Sequence, residues 1–125
     1  MYEDFRVTDR WSGEELHCCW KGTLVAIATR HADAVDVRFE VSGRPMWIAL
    51  PLEAWVRQKQ QTGKVITDQL AAQIAGRFLK QLIEEGNDSR REIYTMTVEE
   101  VLQHLEVVVQ EARAQGAMPT LPVLV

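Results

Sequence analysis

The stretch Val35-Asp36-Val37-Arg38-Phe39-Glu40-Val41, followed by Ser42-Gly43 and then Arg44 to Leu50, constrains the fold of this 125-residue chain more than any other. Valine or phenylalanine alternates with charge at every step from 35 to 41, the period-two pattern of a strand with one face in a core and the other outside it. Ser42-Gly43 supplies a two-residue hairpin turn. Pairing Val41 with Arg44 sets Phe39 opposite Met46, Val37 opposite Ile48 and Val35 opposite Leu50 on one face. The same register sets Arg38 opposite Trp47 on the other face.

Upstream, Thr23 to Arg30 reads as a strand that returns to Val35 through a loop around Ala32-Asp33. An odd-length loop aligns Val25, Ile27 and Thr29 with Val41, Phe39 and Val37, and places Arg30 opposite Asp36. Lys21-Gly22 reads as a turn that folds Glu15 to Trp20 into one more antiparallel strand. Pro51 is expected to open a helix carrying Leu52, Trp55 and Val56, closed by Gly63. Thr67 caps a second helix whose wide stripe runs through Leu70, Ile74, Phe78, Leu79, Leu82 and Ile83 to Gly86. Residues 92–96 are a short strand or an extended approach. Thr97-Val98-Glu99-Glu100 is a capping box, opening a third helix that ends near Gly116. Pro119 and Pro122 keep the apolar segment 117–125 out of helix.

The predicted class is therefore α+β, with strands first and helices after. One domain holds a two-layer arrangement, with an antiparallel β-meander of about four strands over 14–50 followed by about three helices over 51–116 packed on one sheet face. An extended apolar tail over 117–125 completes it, predicted to dock on its own domain or across a dimer.

Leu16-His17-Cys18-Cys19-Trp20 raises the question of a metal or redox site. Alternation puts Leu16, Cys18 and Trp20 on the core face and His17 with Cys19 on the other, so the thiols point apart. Zinc takes three or four ligands, whereas this strand offers two, and no CxxC or HxxxH pattern completes a shell. His31 and His104 fall on a loop and on a distant helix. The expectation is no metal, no cofactor and no catalytic residue. Two adjacent cysteines do not bridge readily, so both thiols read as reduced and the compartment as cytoplasmic. The acidic opening leads into no signal-length apolar run, and no segment is long enough to span a membrane. A net charge of −4 opposes broad nucleic-acid binding.

Other motifs are absent or incomplete. The chain has no GxGxxG, Walker-type, GxSxG or HExxH pattern. Arg6 and Arg10 have the RxxxR spacing of PilZ-type cyclic-dinucleotide receptors. The companion segment Asn87-Asp88-Ser89 lacks its glycine and lies far downstream, so that activity is not assigned. Pro119 to Pro122 has PxxP spacing without a flanking basic residue, and reads as a docked tail.

Val37-Arg38-Phe39-Glu40, Gly43-Arg44, the return strand Met46 to Leu50 and Leu52-Glu53-Ala54-Trp55 together resemble a family of small bacterial β-meander-plus-helix domains of unknown function. The resemblance covers 20 to 40 residues, with Trp55 where the family pattern has leucine. It implies a fold and brings no activity.

Two functional expectations follow. The second sheet face carries Cys19, Leu24, Ala26, Ala28, Trp47 and Ala49, apolar for a surface in water, and predicts a non-catalytic interaction or adaptor domain that acts as a homodimer. Trp47 flanked by Arg38 is its anchor, and Leu121 and Val123 of the tail are a second element of the contact. Alternatively the third helix, or the N-terminal segment with Phe5, Val7 and Trp11, covers that face. The runner-up is a small-molecule binder or minor enzyme using His17, Cys19, Arg38 and Glu40 as the polar groups of the same face.

Overall fold

A computed structural model describes residues 2–26, 34–88 and 92–114. Among these residues the fold is α+β: a five-stranded open sheet in the order β1-β2-β3-β4-β5, with three helices packed on it. The strands are β1 (Asp4–Thr8), β2 (Glu15–Ala26), β3 (Ala34–Val41), β4 (Arg44–Pro51) and β5 (Ile93–Thr95). The helices are α1 (Glu53–Thr62), α2 (Asp68–Glu84) and α3 (Val98–Ala114).

The β3–β4 hairpin has the expected register throughout, from Val41↔Arg44 through Phe39↔Met46, Arg38↔Trp47 and Val37↔Ile48 to Val35↔Leu50. Ser42 and Gly43 turn it with φ of 47° and 88°, the paired positive values of a tight turn that follows the twist of its strands. The alternating apolar residues face the helices. Val37, Phe39, Ile48 and Leu50 have no exposed surface, and they pack with Ile74, Leu79 and Ile83 of α2 and Val101 and Val108 of α3. At about 1.5–3 kcal/mol for each fully buried large apolar side chain, this layer is the main source of stability.

Four features differ from the sequence reading. Lys21-Gly22 is not a turn. Residues 15–26 form one continuous strand, with a register irregularity between Trp20 and Gly22. Glycine in a strand marks a bulge as readily as a turn, and here a twelve-residue strand bends without reversing. The β2–β3 alignment changes with it, because Trp20 faces Phe39, Thr23 faces Val37, Val25 faces Val35, and Leu24 takes the place opposite Asp36 expected for Arg30. With two expected strands merged into β2, the meander keeps four strands because β1, which the sequence reading did not assign as a strand, forms its outer edge, and the parallel β5 brings the sheet to five. Phe5 and Val7 of β1 line the core and do not cover the outer face, and Trp11 is 76% exposed. Lastly, Pro51 ends β4 and α1 starts at Glu53, so the proline does not open a helix. Of the two readings of 92–96 the short strand is the one observed: Ile93–Thr95 runs parallel to β4, tied by Trp47 N–H to Glu92 O at 2.7 Å and Met96 N–H to Ala49 O at 2.9 Å.

The helix ends follow the sequence. Thr67 Oγ1 accepts from Leu70 N–H, Gly63 closes α1 in the left-handed region, and Thr97 and Glu100 exchange side-chain-to-backbone bonds of 2.9 and 3.1 Å. The expected end of α3 near Gly116 and the tail with Leu121 and Val123 lie outside the described residues, as do Ala28 and His31.

Candidate functional site

The outer sheet face, opposite the helices, gathers the side chains selected from the sequence into two clusters, one polar and one largely apolar. The first joins β1 and β2. Asp4 and Cys19 are direct register partners, and His17 lies two residues from Cys19 on the same face. His17 Nε2 is 2.5 Å from Asp4 Oδ1 and 3.6 Å from Cys19 Sγ. The three donor atoms all lie within 4.8 Å of one another. The hairpin turn fixes His17 from the other side, since its N–H donates to Ser42 Oγ at 3.2 Å and its carbonyl accepts from Ser42 N–H at 2.9 Å.

Asp4 is the residue the sequence reading missed. Its signal was present in Asp4-Phe5-Arg6-Val7-Thr8, where charge and apolar residues alternate as they do in β3. Once Phe5 and Val7 are committed to the core, Asp4 and Arg6 must share the face of His17 and Cys19. Glu40, which faces Cys19 from β3, extends the row on the other side.

This arrangement does not make Cys19 an activated nucleophile. Partial burial and then the Asp4 carboxylate raise its thiol above the ordinary range, since both oppose a thiolate. A thiol–imidazole–carboxylate relay needs the imidazole to use one nitrogen for each neighbour, whereas Nε2 alone faces both Asp4 and Cys19. The hydrogen bond to His17 holds the Asp4 carboxyl below the usual carboxylate range. The core-facing Cys18 has no exposed surface, and burial pushes its thiol up to about 12. The two thiols therefore do point apart, one into the core and one onto the outer face.

The second cluster is apolar. The Arg38 guanidinium sits 5.9 Å from the Trp47 ring centroid, and Leu24 on β2 is 59% exposed. Ala49, expected on this surface, is buried at 1% exposure, and Asp36 beside it is buried at 5%. Among the described residues the accessible apolar patch thus loses Ala49 and centres on Leu24, Trp47 and the half-buried Cys19.

Arg6 and Arg10 are engaged separately, Arg6 by Glu15 at 3.8 Å and Arg10 over the Trp11 ring at 6.0 Å. Trp11 in turn donates to Gly86 O at 3.1 Å. Elsewhere, a cleft of about 600 Å³ is bordered by Asp9, Glu14, Arg44, Asp88, Glu92 and Tyr94. Burial and then Asp9 raise the Asp88 carboxyl. Among the described residues no helix is long and apolar enough to cross a membrane.

In comparison with known proteins, no family model, no curated protein and no solved structure matches the chain. The class is set by the architecture alone, a five-stranded α+β domain with one sheet face covered by helices.

Proposed function

We propose that the protein is a non-catalytic interaction domain that pairs with a second copy of itself through the outer sheet face. The observation that carries this reading is the juxtaposition of Arg38, Trp47 and Leu24 on that face, with Leu24 59% exposed and Arg38 lying over the tryptophan ring. Large apolar side chains held at the surface of a rigid sheet, beside an arginine, have the composition of an interface core. A second copy is the favoured occupant because the face carries both signs of charge. Arg38 is exposed and alternates with Glu40 on β3, and Arg6 lies beyond on β1. A two-fold contact lets each such group meet its opposite in the other copy. Kinship with the small bacterial β-meander-plus-helix domains belongs to the same proposal.

Sedimentation equilibrium tests it. The wild-type protein is expected at twice the chain mass, and Trp47→Glu at the chain mass with an unchanged circular dichroism spectrum. A wild-type protein that stays at the chain mass up to high concentration would remove the homodimer.

A further inference from the structure

We propose that Asp4, His17 and Cys19 form a surface binding site for a zinc ion. This reading is independent of the pairing of two copies, because all three donors belong to one chain.

The donor set is the one zinc prefers, a carboxylate oxygen, an imidazole nitrogen and a sulfur. Zinc bonds of about 2.0–2.3 Å in tetrahedral geometry separate neighbouring ligand atoms by about 3.3–3.6 Å. Cys19 Sγ and His17 Nε2, 3.6 Å apart, already have that spacing. Asp4 Oδ1, 2.5 Å from Nε2, has to withdraw by somewhat under about 1 Å. Asp4 is exposed on an edge strand, so rotation of its side chain supplies the movement without disturbing the sheet.

The hydrogen-bonding alternative is less complete. A single Nε2 faces both a carboxylate oxygen and a sulfur, and one N–H serves only one of them. A cation between the three atoms uses the lone pair of Nε2 and both neighbours together. It also leaves the local charge balanced, since a carboxylate and a thiolate neutralise a divalent ion. The Cys19 proton goes to solvent as the Zn–S bond forms, so binding releases one proton. The frame is pre-organised, with Asp4 and Cys19 as backbone register partners and His17 held through both its N–H and its carbonyl by Ser42. The fourth position faces solvent and is open to water. A two-donor count made from β2 alone argues against metal, and β1 supplies the third donor that this count lacks.

Cobalt(II) is the probe, added to the full-length chain under reducing conditions, with zinc as competitor. One equivalent of cobalt should produce a thiolate-to-cobalt charge-transfer band in the near ultraviolet, which one equivalent of zinc abolishes. Cys19→Ser should remove the band. Asp4→Asn, which keeps side-chain shape, and His17→Gln should each weaken zinc binding at least about tenfold, since even indirect partners of zinc ligands are worth 10- to 100-fold. Affinity should rise about tenfold per pH unit between pH 7 and 8, as the Cys19 proton is displaced. Circular dichroism and melting curves confirm that each variant is folded. No charge-transfer band in the wild-type protein, or zinc affinity unchanged in folded Asp4→Asn and Cys19→Ser, overturns the site.

Discussion

Gly76, in the middle of α2, lies directly against the backbone of Tyr2: a Cβ built at position 76 would meet the Tyr2 carbonyl and come within 2.8 Å of the Tyr2 Cβ. The contact is the pivot of an N-terminal clasp. Tyr2 N–H donates to Gln73 Oε1 at 2.7 Å, Tyr2 OH donates to Glu111 Oε2 at 2.6 Å, and Gln73 Nε2 also donates to Glu3. Burial, followed by the bond to Glu111, pushes the Tyr2 hydroxyl up to about 12. Tyr2 then stacks edge-on against Phe5, and Phe5 against Phe39 in the core. Because β1 carries Asp4, this clasp also positions the carboxylate beside His17 and Cys19.

The sign of the effect of Gly76→Ala tests the clasp. In an unobstructed helix the change stabilises by about 1 kcal/mol, since alanine has the higher helix propensity. Here the added methyl must displace Tyr2, and overpacking of this kind costs about 1–3 kcal/mol. A lower melting temperature than wild type is expected, together with faster amide exchange in β1. A stabilised Gly76→Ala protein would show that the N-terminal segment is not seated on α2.

The β3–β4 register predicts opposite outcomes for two neighbouring residues. Val37 is completely buried while Arg38 is exposed on the other face. Val37→Asp places an unpaired carboxylate in the core, and the protein is expected to be unfolded or destabilised by several kcal/mol. Arg38→Ala loses a cation–π contact worth about 1 kcal/mol or less at an exposed site. Urea titration of both variants separates these outcomes, and similar midpoints would contradict the register.

The same hairpin shows why part of the fold was legible in the sequence. Strict alternation from Val35 to Val41 and a two-residue turn admit one pairing that keeps every apolar side chain inside, and the observed register is that one. Helix boundaries at Thr67, Thr97 and Gly63 were legible because each cap is a local chemical event. Gly22 was ambiguous, since the choice between bulge and turn depends on whether the partner strand extends past it. β5 is only three residues long and is parallel to β4, so its pairing depends on a crossover that no local pattern encodes. In the candidate site, the common face of His17 and Cys19 was readable from alternation. The arrival of Asp4 needed the pairing of β1 with β2, a tertiary fact.

The two thiols should differ sharply toward a soluble disulfide reagent. Cys18 is fully buried with its thiol pushed up to about 12, and Cys19 is half-buried on the outer face. One thiol per native chain is expected to react, the second only after denaturation, and Cys19→Ser should abolish the native reaction. A pH series should place the native thiol above the value of about 8.5 of an unperturbed cysteine, because burial and Asp4 both raise it. A native thiol titrating below that value would contradict the effect of burial and Asp4 on Cys19.

Acid sensitivity should trace to His104. This side chain on α3 is 5% exposed, accepts a hydrogen bond from Arg77 at Nδ1 over 2.8 Å and meets Phe78 edge-on at 5.9 Å. Burial and then the Arg77 guanidinium lower its pKa, and Glu100 opposes them only in part. Arg77 is anchored on its other side by Glu111 at 3.3 Å, so it has little freedom to retreat when the ring protonates. With the folded pKa below the unfolded value of about 6.5, the unfolded chain binds the proton more readily. The stabilisation from neutral His104 is thus fully present above pH 6.5 and is lost as the pH falls from there through the lower folded value. His104→Gln has no proton to gain in this window and retains a side-chain amide for Arg77. Melting temperatures of both proteins at pH 7.5 and pH 5.5 check the assignment: the wild-type protein should lose more stability on acidification than the variant. Equal losses would assign the acid sensitivity to other groups.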